Sequence, residues 1–176
     1  MKIGLCGTQS VGKTTLVNAL KGLPEFKDYI TRTERSKELM AMGIPLNTDS
    51  TLKGQCVFLA ERAGELMEEN IITDRTVIDV MAFALASKSI NYLDKEDFVN
   101  NAKNLISEYD HIFYVSPEGV EIEDNSVRET NREYRNLIDS TINRTINRNI
   151  HRIKNLIKIP PYLTTQERVD FILKTI

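Results

Sequence analysis

Short apolar runs alternate along the chain with longer segments whose apolar positions recur every three or four residues. Period-free runs of four to six residues read as buried strands, and the three-to-four spacing reads as helices with one inward face. Residues 2–6 (KIGLC) predict the first strand, and 13–21 a helix with Leu16, Val17 and Leu20 inward. Residues 29–33 predict a second strand, and 35–42 a short helix stopped by Gly43 and Pro45. A helix capped by Asp49 or Ser50 is expected to run to about Glu69, with Leu52, Cys56, Leu59, Ala60, Ala63, Leu66 and Met67 as its apolar positions. Residues 71–74 (IITD) predict a third strand, 77–87 an apolar helix, then a helix capped by Asp94 that ends near Tyr109, and 111–116 a fourth strand. Ser126-x-x-Glu129 matches a capping box and predicts a long helix to about Asn155, with a narrow seam of Val127, Tyr134, Ile138, Ile142, Ile146, Ile150 and Ile153. Residues 156–159 predict a fifth strand, and Thr164-x-x-Glu167 a second capping box opening the last helix. Five strands separated by helices predict an α/β chain with a doubly wound parallel sheet.

Composition narrows this picture without redirecting it. A chain of 176 residues suits one domain with a sizeable core, and 41% hydrophobic with 27% charged residues is a globular balance. The net charge of -2 provides no global basic field for nucleic acid. No apolar run approaches the ~20 residues of a membrane span, so the expectation is a cytoplasmic protein with no membrane partner. Cys6 and Cys56 have no metal-ligand spacing and read as buried, reduced residues.

The candidate chemistry starts at Gly7, where GTQSVGKT fits G-x-x-x-x-G-K-[ST]. The motif lies between a predicted strand and a predicted helix, as a phosphate-binding loop requires. Gly7 and Gly12 permit the curl; Thr8, Gln9, Ser10 and Val11 supply backbone N–H groups between them. Lys13 is suited to the β- and γ-phosphates, Thr14 to Mg²⁺, and Thr15 to the phosphates at the opening of the helix. A bound nucleoside triphosphate is the reading.

Asp74 closes the third strand and is the expected second Mg²⁺ partner; it is also a candidate to orient or deprotonate an acceptor hydroxyl. Arg75 either holds a phosphate or pairs with Asp79. Arg128, Arg132 and Arg135 share one helical face, suited to closing over a triphosphate or to pairing with Glu129 and Glu133. Arg32 and Arg35 follow the second strand, where they would grip an anionic acceptor or remain surface residues. Gln55 is a candidate for two hydrogen bonds to a base edge, or a solvent-facing residue. Pro161 and Tyr162 flank an adenine or pack beneath the last helix.

On the stretches MKIGLCGTQSVGKTTLVNAL, GIPLN with Gln55, IITDRTVIDVMAFA and DNSVR, residues 1 to about 135 resemble the P-loop kinase superfamily. Within it they are similar to the AAA-type ATPase/kinase domain family shared by nicotinamide riboside kinases and many phage nucleotide kinases. The resemblance implies a P-loop NTPase three-layer sandwich with strand order 2-3-1-4-5, a helical lid at about 118–136 within a single domain 1–176, and ATP with Mg²⁺. By position it gives Lys13 and Thr14 the phosphate and metal roles, Asp74 and Arg75 the roles of the Asp-Arg pair that closes this strand, and Arg128 that of the lid arginine, with Lys13, Asp74 and Arg128 as the catalytic residues. Read from the residues themselves, Arg132 is assigned to the nucleotide and Arg32, Arg35, Gln55 and Arg75 to the acceptor. Two departures matter. Arg32 stands where many relatives have a Glu, with Glu34 offset, and Asn125-Ser126 stands where a Gly is usual in the lid. The base is therefore Asp74 or Glu34, and an arginine at the acceptor side suits a phosphate-bearing acceptor.

The expected activity is ATP- and Mg²⁺-dependent phosphoryl transfer to a small-molecule nucleoside or nucleotide, by a monomer or homodimer. The alternative acceptor is nucleic acid, gripped by Arg144, Arg148, Arg152 and Lys154. A GTPase or mechanical ATPase is disfavoured. No Asn-Lys-x-Asp signature is present, and Arg75 stands where a water-activating Glu would follow Asp74.

Overall fold

The computed structural model describes residues 1–33, 35–121 and 131–176. Its centre is β1 (Lys2–Cys6), paired in parallel with β3 (Ile71–Asp74) on one side and β4 (His111–Val115) on the other. β2 (Ile30–Arg32) adds to β3 and β5 (Leu156–Ile159) to β4, so the order is β2-β3-β1-β4-β5. The order reverses direction at β1, and the crevice beyond its carboxyl end is where such sheets bind ligands. Register puts Leu5 opposite both Asp74 and Phe113, so the loop after β1 and the end of β3 meet at that crevice.

Both faces of the sheet are covered, which is why its strands read as continuous apolar runs. On one face, Leu16, Val17 and Leu20 of α1 (Lys13–Lys21) and Val169 and Ile172 of α7 (Thr165–Thr175) pack on Ile3, Leu5, Ile72 and Phe113. The other face carries α3 (Leu52–Glu65), α4 (Val77–Ala86), α5 (Tyr92–Ala102) and α6 (Arg132–Arg148). Every residue of α4 from Val77 to Ala84 is buried, because the helix lies between the sheet and α6. The short α2 (Ser36–Ala41) leads from β2 towards α3.

The strands and the Thr164 capping box are where the sequence predicts them, and several helix ends differ. α3 is capped by Thr51, which accepts from the Gly54 N–H, and not by Asp49 or Ser50. Asn47–Asp49 form a 3₁₀ turn instead, and the Ser50 carbonyl accepts from the Ser87 hydroxyl. α3 stops at Glu65, short of Glu69: Leu66 folds into the core, and Glu68 and Glu69 would oppose the helix dipole at a C-terminal end. α5 is capped by Asn91, which bonds the Asp94 N–H at 2.9 Å, and it gives way to a 3₁₀ segment at Lys103–Glu108. The Ser126 box lies outside the described residues. As described, α6 opens at Arg132, capped by Asn131. Its seam ends at Ile146; Ile150 sits in a 3₁₀ turn and is exposed.

One correction concerns the face α3 presents. Its buried residues are Gly54, Gln55, Phe58 and Arg62, whereas Cys56 and Ala60, expected inside, are exposed. Polar side chains occupy the inner face because it looks onto the end of β3, where there is hydrogen-bonding work for them. Cys6 is buried as expected; Cys56 is not.

Candidate active site

The loop between β1 and α1 curls so tightly that only glycine fits at two points. At Gly7 a Cβ would stand 2.5 Å from the Val115 carbonyl oxygen, and Gly12 has φ +87°. Gly12 opens α1 with no side-chain cap, leaving the helix's first N–H groups directed at the crevice. Lys13 is buried; its Nζ donates to the carbonyls of Gly7 at 2.7 Å and Thr8 at 2.8 Å, spanning the loop. The Thr8 hydroxyl donates to Gln9 Oε1 at 2.5 Å. A cavity of about 110 Å³ lies inside the curl, lined by Gln9 to Thr15 with Asp74, Arg75 and Val120.

Asp74 is 2% exposed, and its carboxylate accepts a hydrogen bond from the Thr14 hydroxyl. The Lys13 ammonium is 3.9 Å from its other oxygen. The two residues named for Mg²⁺ are thus in contact at the cavity wall. Hard oxygens beside a phosphate site fit that ion, which takes few protein ligands and completes its shell from phosphate and water. Among the described residues no group of three or more His, Cys, Asp or Glu could hold a metal unaided.

Arg75 adopts φ +83°, with its N–H bonded to Leu5 O at 3.0 Å and its guanidinium 4.6 Å above the Phe83 ring. It lines the phosphate cavity and also a second, smaller pocket formed by Ser36, Asn47, Gln55, Phe58 and Phe83 among others. Gln55 is 3% exposed there, not solvent-facing. Asp79 is not the partner expected for Arg75. Its oxygens accept from the Gly7 N–H at 2.8 Å and from the Thr76 N–H and hydroxyl, both at 2.7 Å.

The other arginines are more dispersed. Arg35 is exposed and paired with Glu38 at 2.5 Å and Glu61 at 3.3 Å, so its charge is already matched. Arg32 is exposed at the end of β2, opposite Thr73. Neither lines the phosphate cavity or the Gln55 pocket. Arg128 and Glu34 lie outside the described residues. Arg135 is buried and donates to the carbonyls of Val120 at 2.7 Å and Pro117 at 2.8 Å; it fastens the loop after β4 and does not share an open face with Arg132. Arg132 is exposed and lines a cleft of about 750 Å³ that shares Val120 with the phosphate cavity. Tyr162 is 70% exposed, covers Gly119 and donates to Glu118 at 3.0 Å, so it does not pack beneath the last helix.

Sequence reasoning missed three braces. Asp79 fixes Gly7, and its Thr76-x-x-Asp79 spacing is a capping box that was there to be read. Arg62, 2% exposed, donates to the Asp74 carbonyl at 3.1 Å and to Glu65 at 2.7 Å. Burial pushes Glu65 up to about 7, with the nearby Glu61 carboxylate adding to the shift and Arg62 opposing it. Arg168 of α7 donates to Val11 O at 2.8 Å across 157 residues of sequence. No local pattern marks Arg62 or Arg168, because each acts on backbone far away in the chain.

Known proteins agree with this architecture. A structure of deoxyadenosine kinase from M. mycoides with bound dATP superposes with TM-score 0.66 at 18% identity, covering 99% of this chain and 98% of that one. The same kinase with bound dCTP gives TM-score 0.66 at 16% identity. The NadR protein in complex with NR gives TM-score 0.75 at 16% identity, covering 98% of this chain and 50% of that one, so this chain spans about half of NadR's length. At these identities the likeness is one of fold. No curated protein matches the sequence. The family model described as AAA domain matches residues 2–161. That span holds the phosphate loop, the Asp74 strand end and all five strands, and the chain belongs to this AAA domain family with a P-loop kinase-like fold.

Proposed function

We propose that the protein is an ATP-dependent kinase that transfers the γ-phosphoryl group to a nucleoside or nucleotide. The observation carrying this is that Arg75 lines both the phosphate cavity and the Gln55 pocket. A donor phosphate and an acceptor would then meet across one guanidinium. Gln55 offers a carboxamide that can donate and accept on a base edge, and Phe58 and Phe83 offer apolar walls for a ring. The similarity to deoxyadenosine kinase and NadR structures, recorded with dATP and with NR, supports an acceptor of this class.

In this reading an acceptor oxygen attacks the γ-phosphorus, the bond to the β–γ bridging oxygen breaks, and ADP leaves. Lys13, released from the Gly7 and Thr8 carbonyls, follows the charge on the phosphates; the loop N–H groups and the α1 dipole hold them in line. Thr14 and Asp74 would hold Mg²⁺, which neutralises phosphate charge when bound. A phosphate acceptor needs no base. A hydroxyl acceptor would pass its proton to Asp74 or Glu34. Arg32 is assigned to the acceptor, Arg132 to the nucleotide and Arg128 to the transferring phosphoryl group, whereas Arg35 is held by two carboxylates.

The test is an acceptor screen with ATP and Mg²⁺ covering nucleosides, nucleoside monophosphates, nicotinamide riboside and 5′-hydroxyl oligonucleotides. One of the first three is expected to be phosphorylated, and Lys13→Ala to lower the rate at least about 100-fold. Transfer to oligonucleotides alone would replace the acceptor class. Fast ATP hydrolysis with transfer to none would sink the kinase reading.

A further inference from the structure

Arg168 is 8% exposed, lies on α7 against the outer wall of the phosphate loop, and forms no ion pair with a carboxylate among the described residues. Among the described residues its one side-chain hydrogen bond runs from Nη1 to Val11 O at 2.8 Å, and Nε has no partner. Burial alone depresses its proton affinity; no neighbouring acid offsets it. A guanidinium that deep normally has an anion beside it. Gly12 lies beside the same nitrogen: a Cβ there would stand 3.4 Å from Nη1.

The peptide that Arg168 grips joins Val11 to Gly12. In a trans peptide the C=O and N–H point in opposite directions. Pinning the Val11 oxygen outward therefore turns the Gly12 N–H inward, towards the cavity lined by Ser10 to Thr14. The same contact brings a full positive charge to the back of the loop. Resting on the reading of this loop as a polyphosphate site, we propose that Arg168 is a positioning residue whose balancing anion is the bound phosphate: it orients the Gly12 N–H and adds attraction through the loop without touching the ligand.

The experiment titrates inorganic tripolyphosphate and ADP into wild type, Arg168→Met and Arg168→Lys by calorimetry, with melting temperature recorded with and without ligand. Neither ligand needs an acceptor, so the result is independent of the kinase reading. The expectation is about tenfold weaker binding for Arg168→Met, an intermediate value for Arg168→Lys, which keeps the charge, and a ligand-induced rise in melting temperature that shrinks in the same order. Equal affinity of wild type and Arg168→Met overturns the proposal. Equal loss in the Lys and Met variants also overturns it, since that is what a purely structural brace gives. If Arg168→Met does not fold, Arg168→Lys against wild type decides by the same affinity criterion. Absence of tripolyphosphate and ADP binding to wild type overturns the reading of the loop itself, and this proposal with it.

Discussion

Asp79 is fully buried and accepts hydrogen bonds from Gly7, at the start of the phosphate loop, and from Thr76, at the start of α4. One carboxylate thereby ties the two neighbouring strand ends of the crevice together. Asp79→Ala leaves the N–H groups of Gly7 and Thr76 without a side-chain acceptor inside the protein. It is expected to cost about 3 kcal/mol, read as a lower urea midpoint with an unchanged slope, and to weaken ADP binding as the loop loses its anchor. A loss below about 1 kcal/mol would show that water replaces the carboxylate there. Read for its charge, Asp79 suggested an ion pair with Arg75; its spacing from Thr76 spelled the cap that it forms.

α3 carries the lesson at the scale of an element. Gln55, Phe58, Arg62 and Glu65 follow one another at intervals of three or four, so one helix face serves the Gln55 pocket, the Asp74 carbonyl and a partly buried acid. Reading only apolar residues turns this helix the wrong way, because a polar face buried for a site imitates a solvated one. Glu65 provides a test. Its pKa is raised from 4.5 to about 7, so the folded state holds a proton that the unfolded chain has lost. Stability tied to this group is therefore greatest at low pH and falls as pH climbs from near 4.5 through about 7. The charges facing it are Arg62, Glu61, Arg32 and Asp74. Glu65→Gln is expected to flatten the fall in unfolding free energy between about pH 5 and pH 8, measured by denaturant titration across that range. An unchanged slope would assign the pH dependence elsewhere.

Over the whole molecule, two apolar layers sandwich one sheet, the α1–α7 side and the α3–α6 side. Both depend on the same five strands, so neither layer should melt alone. Ile142→Ala in α6 and Val17→Ala in α1, each at a fully buried site, are expected to destabilise by about 2–5 and about 1–3 kcal/mol respectively. Each variant should still unfold in a single transition, coincident by far-ultraviolet circular dichroism and by release of a fluorescent nucleotide. Two separated transitions would mean that the layers fold as independent units. No helix among the described residues is long and apolar enough to cross a membrane. In the basic strip considered for nucleic acid, Lys154 is already paired with Asp110 at 3.0 Å.

The sequence by itself determined what depends on neighbours in the chain. Five strands, the loop from Gly7 to Thr14 and the Thr164 cap follow from local apolar runs, local glycines and a three-residue spacing. Even Asp74 was legible, since an acid that closes an apolar strand falls at the carboxyl end of the sheet, beside the loop after β1. The tertiary structure decided which polar residue meets which. It turned Gln55 inward, matched Arg35 with Glu38 and Glu61, gave Arg135 to the carbonyls of Pro117 and Val120, and brought Arg168 to Val11. The physical reason is that apolar burial follows repeating spacing, whereas a hydrogen bond or a charge pair needs one particular partner, and only the folded chain supplies it.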